Sequence, residues 1–245
     1  MKKIKVFILN SLVLLASSII LQIIGIFFNI YISNRVGSEA VGIFTLVMSV
    51  YLFGITLATS GITIASTRVI SEELACNNES GAKLATKKCI FISLITSIIA
   101  SIIFFIFADF IVHKCLHNRV SHNVIYSICL ALPFISMSSA INGYFVAVRK
   151  AYKNAIAKFF EEFIKIIATA IILNTFLPST LDSMCLSLIV GDVISEIFSL
   201  LFIFILLQKD KNYSKSFRIS DNSYTSKILR ISLPVAFTSY IKSGL

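Results

Sequence analysis

Two apolar stretches of the chain carry ionisable side chains. Residues 154–173 read NAIAKFFEEFIKIIATAIIL, with Glu161, Glu162 and Lys165 inside the stretch. Residues 181–207 carry Asp192 and Glu196 in similar company. On a helix, Glu161 and Lys165 lie four apart and Glu162 and Lys165 three apart, so pairing within one turn is open to them. Asp192, Ser195, Glu196 and Ser199 fall at i, i+3, i+4 and i+7, which is one helix face. Those two acids have no cation on their own segment. They require Lys165, Lys242, a translocated ion or a proton, because an uncompensated carboxylate is costly inside a membrane. An acid held neutral by burial can cycle its proton, which is the chemistry of coupled transport.

The elements that must position these groups follow from composition. The chain is 57% hydrophobic and 14% charged, with mean hydropathy +0.90, far from a soluble domain. A spanning helix needs roughly 20 mostly apolar residues. Residues 6–33, 41–67, 89–109, 123–148, 154–177 and 181–207 meet that need, and a seventh stretch begins near Ile228. Continuous apolar runs argue helices, since barrel strands alternate over about 10 residues. The first run is longer than the apolar core of a cleavable signal, which is about 7–15 residues. The expected fold is all-α: a polytopic membrane helix bundle of one six-helix lobe (1–208), a linker (209–227), and the first helix of a second lobe (228–245), cut short.

The net charge of +10 is explained by topology. If the N-terminus is cytosolic, the outer segments carry only Arg35, Lys114 and Arg119, and Lys165 and Lys242 lie within spans. The other 17 of the 22 Lys and Arg residues face the cytosol, a strong positive-inside bias. The basic excess therefore gives no support to a nucleic-acid partner. Residues 71–88 and 209–227 are the largest inner segments. The first has helical apolar spacing (Leu74, Ala82, Leu84, Ala85) that suits a surface helix as well as a solvated connector. The second reads as a polar linker.

Hydroxyls, amides and glycines inside the spans recur at helical steps. Ser18, Gln22, Gly25, Asn29 and Ser33 do so in span one, and Thr45, Ser49, Thr56, Ser60, Thr63 and Thr67 in span two. Span four adds Ser139, Asn142 and Gly143 beyond Pro133. Close helix packing accounts for stripes of this kind, and so does a shared polar cavity. Asp192 and Glu196 weigh toward the cavity. The candidate substrate or ion cavity comprises Gln22, Asn29, Asn142, Glu161, Lys165, Asp192, Glu196 and Lys242.

Two longer blocks carry a resemblance. GSEAVGIFTLVMSVYLFGITLATSGITIASTRVISEELA and ALPFISMSSAINGYFVAVRKAYKNAIAKFFEEFIKI resemble the second, fourth and fifth spans of stage V sporulation protein B-like proteins. These belong to the multidrug/oligosaccharidyl-lipid/polysaccharide flippase superfamily (oligosaccharide flippase family). The matching features are Pro133, Gly143-Tyr144-Phe145, and Glu161 followed four residues later by Lys165. The resemblance implies a protein of about fourteen spans in two six-helix lobes plus an extra pair, of which this chain is the N-terminal half. It also implies translocation of a polyprenyl-linked saccharide across the bacterial cytoplasmic membrane. The pattern departs at Asn142 and Lys165, where arginines are expected, at Ala157-Lys158, where Ser-Gln is expected, and at Glu162, where Gln is expected. The first span has no Arg. A pyrophosphate group would have to meet Lys165, Lys242 or a second lobe. A weak internal match, SLVLLASSII to SLPVAFTSYI, aligns Ser17 with Thr238 and fits a second lobe starting near residue 227.

The remaining motifs are weak. His113, Cys115, His117 and His122 crowd one outer loop as a poor metal candidate. The five cysteines form no paired spacing. The sequence contains no phosphate-binding loop, nucleophile elbow or zinc-hydrolase motif, so neither an enzyme nor a cofactor is expected. The leading expectation is a flippase-like transporter in the bacterial cytoplasmic membrane, with lipid, a polyprenyl-linked saccharide, and a second lobe or second copy as partners. The alternatives are a drug or cation antiporter of the same superfamily and a non-transporting scaffold in spore envelope assembly.

Overall fold

The computed structural model describes the backbone of residues 2–59, 61–116, 119–176, 180–210 and 223–244. Side chains are described for these except 2–11, 13, 14, 176, 223 and 240–244. The described residues form helices and no strands. In order these are α1 (Lys2–Val36), α2 (Ser38–Thr59), α3 (Ile62–Ala75), α4 (Glu79–Ile106), α5 (Ala108–Phe110), a π-helical turn (Ile111–Cys115), α6 (His122–Ala147), α7 (Tyr152–Phe176), α8 (Leu181–Gln208) and α9 (Ser223–Gly244).

Among the described residues, five segments are long and apolar enough to cross a membrane: Leu15–Val36, Ser38–Ala75, α4, α6 and α8. α7 is not among them, because Lys153, Lys158, Glu161, Glu162 and Lys165 lower its apolarity. Its faces show how it is nonetheless accommodated. Ile156, Phe163, Ile167 and Ile171 point outward and are exposed; Glu161 and Lys165 reach the opposite way, onto α8. Ile95, Ile98, Ile99, Ile102 and Ile106 give α4 a similar outward belt. Such a surface of large apolar side chains suits lipid and not water. The chain is a multi-pass membrane protein.

The second span is not one helix. α2 stops at Thr59, and Gly61 adopts φ +68° before α3 begins. A break in a membrane helix frees carbonyls that lipid cannot satisfy. Here the Ala58 carbonyl receives Ser136 Oγ from α6 at 3.0 Å and Thr96 Oγ1 from α4 at 3.3 Å. The break also seats α9. A Cβ on Gly61 would stand 2.7 Å from Val235 Cγ1 and 3.2 Å from the Ser232 carbonyl.

Residues 71–88 are neither a surface helix nor a solvated connector. α3 runs on to Ala75 and α4 starts at Glu79, so the loop shrinks to a tight corner. Asn77 takes φ +56° there, and the Asn78 side chain caps α4 by accepting the Gly81 N–H at 2.9 Å.

α6 is the central helix, packing on α2, α3, α4 and α8. Against α3 it is joined by a ladder of hydroxyls. Thr63 donates to the Ser139 carbonyl at 3.2 Å, Ser66 to Ala140 at 2.9 Å and Thr67 to Gly143 at 3.2 Å. Gly143 lets the backbones approach, since a Cβ there would meet Ser66 Cβ at 2.7 Å. Much of the span-two stripe is therefore a packing device. Thr45, Ser49 and Thr56 bond back to their own helix.

The corners sort into two ends. One gathers Arg35 on Asn174 at 2.7 Å, Arg119 on Glu39 at 3.6 Å, His122 on Asp109 at 2.7 Å, and the Ser121 N–H on Asp182 at 2.6 Å. The other gathers Asn78 and Gly81, with Lys150 and Lys153 on the buried Asp210 at 2.8 and 2.7 Å. The apolar core divides likewise. One cluster ties α1, α2, α6 and α8, and a second ties α3, α4, α6, the C-terminal part of α8 and α9.

Candidate functional site

The ionisable residues of the two charged stretches meet between α7 and α8. The pairing open to Glu161 or Glu162 with Lys165 within α7 does not form among the described residues. Lys165 Nζ instead crosses to α8 and lies 2.7 Å from Asp192 Oδ1. Glu161 is held on one side by Lys158 of its own helix and on the other by Ser199 Oγ, which donates to Oε2 at 2.8 Å. The reason is geometric. Glu161 and Lys165 share a helix face, but α8 brings a buried carboxylate to Lys165, and the acid with less access to water takes the cation.

The site rests on close approach of the two helices. Gly191 precedes Asp192, and a Cβ on it would collide with Thr169 Oγ1 of α7. Asp192 is 4% exposed, and its Oδ2 has no hydrogen-bond partner among the described residues. Ser195 turns away and donates to the Asp192 carbonyl at 2.8 Å. Glu196, one turn beyond Asp192, is half-buried with no ion pair or hydrogen bond among the described residues. Lys165 also lies 5.9 Å from the centre of the Phe28 ring of α1, within cation–π reach. α1, α7 and α8 thus converge on this ammonium.

The cluster holds three carboxylates (Glu161, Asp192, Glu196) and two ammonium groups (Lys158, Lys165). With all ionised it carries one negative charge in excess. Glu162 leans the other way, into an apolar groove of about 370 Å³ beside Ile24, Phe163 and Phe202. Tyr51 of α2 was not anticipated. Its buried hydroxyl has no hydrogen-bond partner among the described residues. A tyrosine inside an otherwise apolar run was the available signal, because a buried phenol normally seeks a partner.

Of the eight candidate cavity residues, the structure brings together Glu161, Lys165, Asp192 and Glu196. Gln22 and Asn29 stand exposed on α1, and no polar contact joins them to the cluster among the described residues. Asn142 lies toward the C-terminal end of α6, where its carbonyl accepts Asn154 Nδ2 at 3.1 Å; no polar contact joins its side chain to the cluster among the described residues. The Lys242 side chain lies outside the described residues. In the outer loop the His113 and His122 rings are 6.1 Å apart, and His117 lies outside the described residues. Among the described residues, no group of three metal-ligating side chains forms.

Comparison with known proteins extends this picture. The model of the polysaccharide biosynthesis protein family matches residues 7–243. Stage V sporulation protein B of Bacillus subtilis (strain 168) is 22% identical over 241 residues, covering 96% of this chain and 46% of that protein. A MOP superfamily transporter from Pyrococcus furiosus Vc1 (DSM3638), described as having reversed binding-pocket polarity, superposes with a TM-score of 0.77. Its identity is 16%, over 96% of this chain and 52% of that one. A multidrug resistance MATE family transporter of the MOP superfamily superposes in its outward-facing form at 0.71, with 16% identity over 96% of this chain and 52% of that one. The inward-facing form gives 0.67, with 17% identity over 88% and 49%. These structures share a fold with this chain, which spans about half the length of the relatives it matches. With the family model matching almost the whole sequence, the chain belongs to the polysaccharide biosynthesis protein family.

Proposed function

We propose that this chain is one lobe of a flippase that carries a polyprenyl-linked saccharide across the bacterial cytoplasmic membrane by alternating access. The reading rests on one observation above all: three carboxylates, Glu161, Asp192 and Glu196, against two lysines between α7 and α8. Such an imbalance needs a proton or a cation to balance it, and a scaffold has no use for that cost. Lys165 supplies the switch. While Asp192 is ionised it holds the ammonium; protonation of Asp192, or a cation taken up beside Glu196, frees Lys165 for a phosphate of the substrate. The second wall of the path comes from a second lobe or a second copy. Positive-inside bias sets the N-terminus and the end bearing Asn78, Lys150 and Asp210 in the cytosol.

A second reading, a drug or cation antiporter of the same superfamily, is favoured by the same acid excess and by the fold shared with the MATE transporter. One experiment separates the two. The chain is expressed, with and without a complementary lobe, in a bacterial strain depleted of its own saccharide flippase. The flippase reading predicts that the paired lobes relieve accumulation of the lipid-linked precursor and that Asp192→Asn removes the relief. Unrelieved accumulation together with reduced ethidium retention would favour the antiporter.

A further inference from the structure

A second polar groove lies away from the α7–α8 cluster, at the basic end of the bundle between α3 and α9. It encloses about 560 Å³. Arg68 and Glu72 of α3 and Lys227 and Arg230 of α9 line it, with Ile64 and Val235 among its apolar walls. Three cations face one carboxylate, so the groove carries two positive charges in excess. Arg68 Nε is engaged by Glu72 Oε1 at 3.1 Å, which leaves its terminal nitrogens available. Lys227 lies 5.8 Å from the centre of the Tyr224 ring. No carboxylate pairs with Lys227 or Arg230 among the described residues, and both are exposed. Ile64 is 55% exposed, so the apolar side of the groove opens toward lipid.

We infer that this groove binds an anionic phospholipid of the surrounding bilayer, its phosphate on Arg68, Lys227 and Arg230 and its glycerol and first methylenes along Ile64 and Val235. Charge complementarity selects the occupant. Arg and Lys clustered at a membrane boundary attract anionic headgroups, and Arg offers a phosphate two parallel donors. A zwitterionic lipid brings its own cation into a groove already positive, and a free phosphate leaves the apolar wall uncovered. Position gives the bound lipid a consequence. Val235 lines the groove and is also the side chain that abuts Gly61 at the α2–α3 break. A lipid here tightens α9 against the broken helix. The inference does not depend on which substrate the transporter moves.

The test is lipid retention by the whole 245-residue chain in native mass spectrometry. Palmitoyl-oleoyl phosphatidylglycerol, the matching phosphatidylcholine, and sn-glycerol 3-phosphate are each offered. The inference predicts one phosphatidylglycerol retained per chain, at least tenfold above phosphatidylcholine, with glycerol phosphate neither retained nor displacing it. The triple variant R68Q/K227Q/R230Q should fall to the phosphatidylcholine level. Ile64→Trp, which fills the groove and keeps its charges, should fall as well. K87Q/K88Q, at the same end but outside the groove, should match the parent chain. Equal retention of the two lipids, undiminished retention in the triple variant or in Ile64→Trp, an equal loss in K87Q/K88Q, or glycerol phosphate binding as tightly as the lipid would each overturn it.

Discussion

At the scale of single residues, the Lys165–Asp192 contact decides how the charged helices are understood. Asp192 is buried and Lys165 nearly so, so removing either partner strands the other charge. Breaking a buried pair from one side costs about 3–5 kcal/mol, whereas replacing both partners by apolar groups is often close to neutral. Lys165→Met and Asp192→Leu should therefore each lower the detergent-solubilised protein's melting temperature sharply, and the double variant should recover most of the loss. Additive losses in the double variant would show that the two side chains are not coupled. The sequence narrowed the partners of Asp192 to Lys165, Lys242, an ion or a proton. It could not choose among them, because helical spacing within α7 offered Glu161 and Glu162 as equally near. That choice depends on the α7–α8 approach at Thr169 and Gly191, which no spacing within one helix encodes.

Among the helices, apolar runs located five of the six expected spans, since length and hydropathy are properties of the sequence itself; residues 154–177 form α7, whose charges keep it outside the long apolar segments of the described residues. The breaks were harder to see. Gly61 interrupts a run that otherwise reads as one span; a glycine is a known punctuator, but it is also tolerated in membrane helices. What fixes the break is tertiary: Ser136 and Thr96 on Ala58, and Val235 on Gly61. Residues 71–88 misled in the opposite direction, because charged ends of α3 and α4 look like loop. Two glycines make the element-level account testable. Gly61→Ala places a side chain at φ +68°, worth about 1–2 kcal/mol of strain, and drives it into Val235. It should lower the melting temperature and speed amide exchange in residues 224–236. Gly25→Ala meets nothing within 4 Å and should leave both unchanged. A shift of equal size at the two positions would contradict the proposed seat for α9.

For the whole molecule, sidedness, the need for a second body and transport each carry an expected outcome. Single cysteines in a cysteine-free background report sidedness. Lys114→Cys should react with an impermeant thiol reagent in intact cells, and Ser80→Cys only after permeabilisation; the reverse pattern would invert the bundle. Alternating access requires two bodies rocking about a site between them, and one lobe supplies one wall. A demonstrated single copy of residues 1–245 should therefore fail to move lipid-linked saccharide. The most direct test of the central claim, that the α7–α8 charges drive transport, is the flipping rate of a fluorescent polyprenyl-pyrophosphate saccharide. It is read by dithionite quenching in proteoliposomes containing the two-lobed assembly, with Glu196 intact or replaced. The account predicts that Glu196→Gln slows flipping at least tenfold and abolishes its response to an imposed ion gradient. Equal rates and an equal gradient response in the two proteins would contradict it.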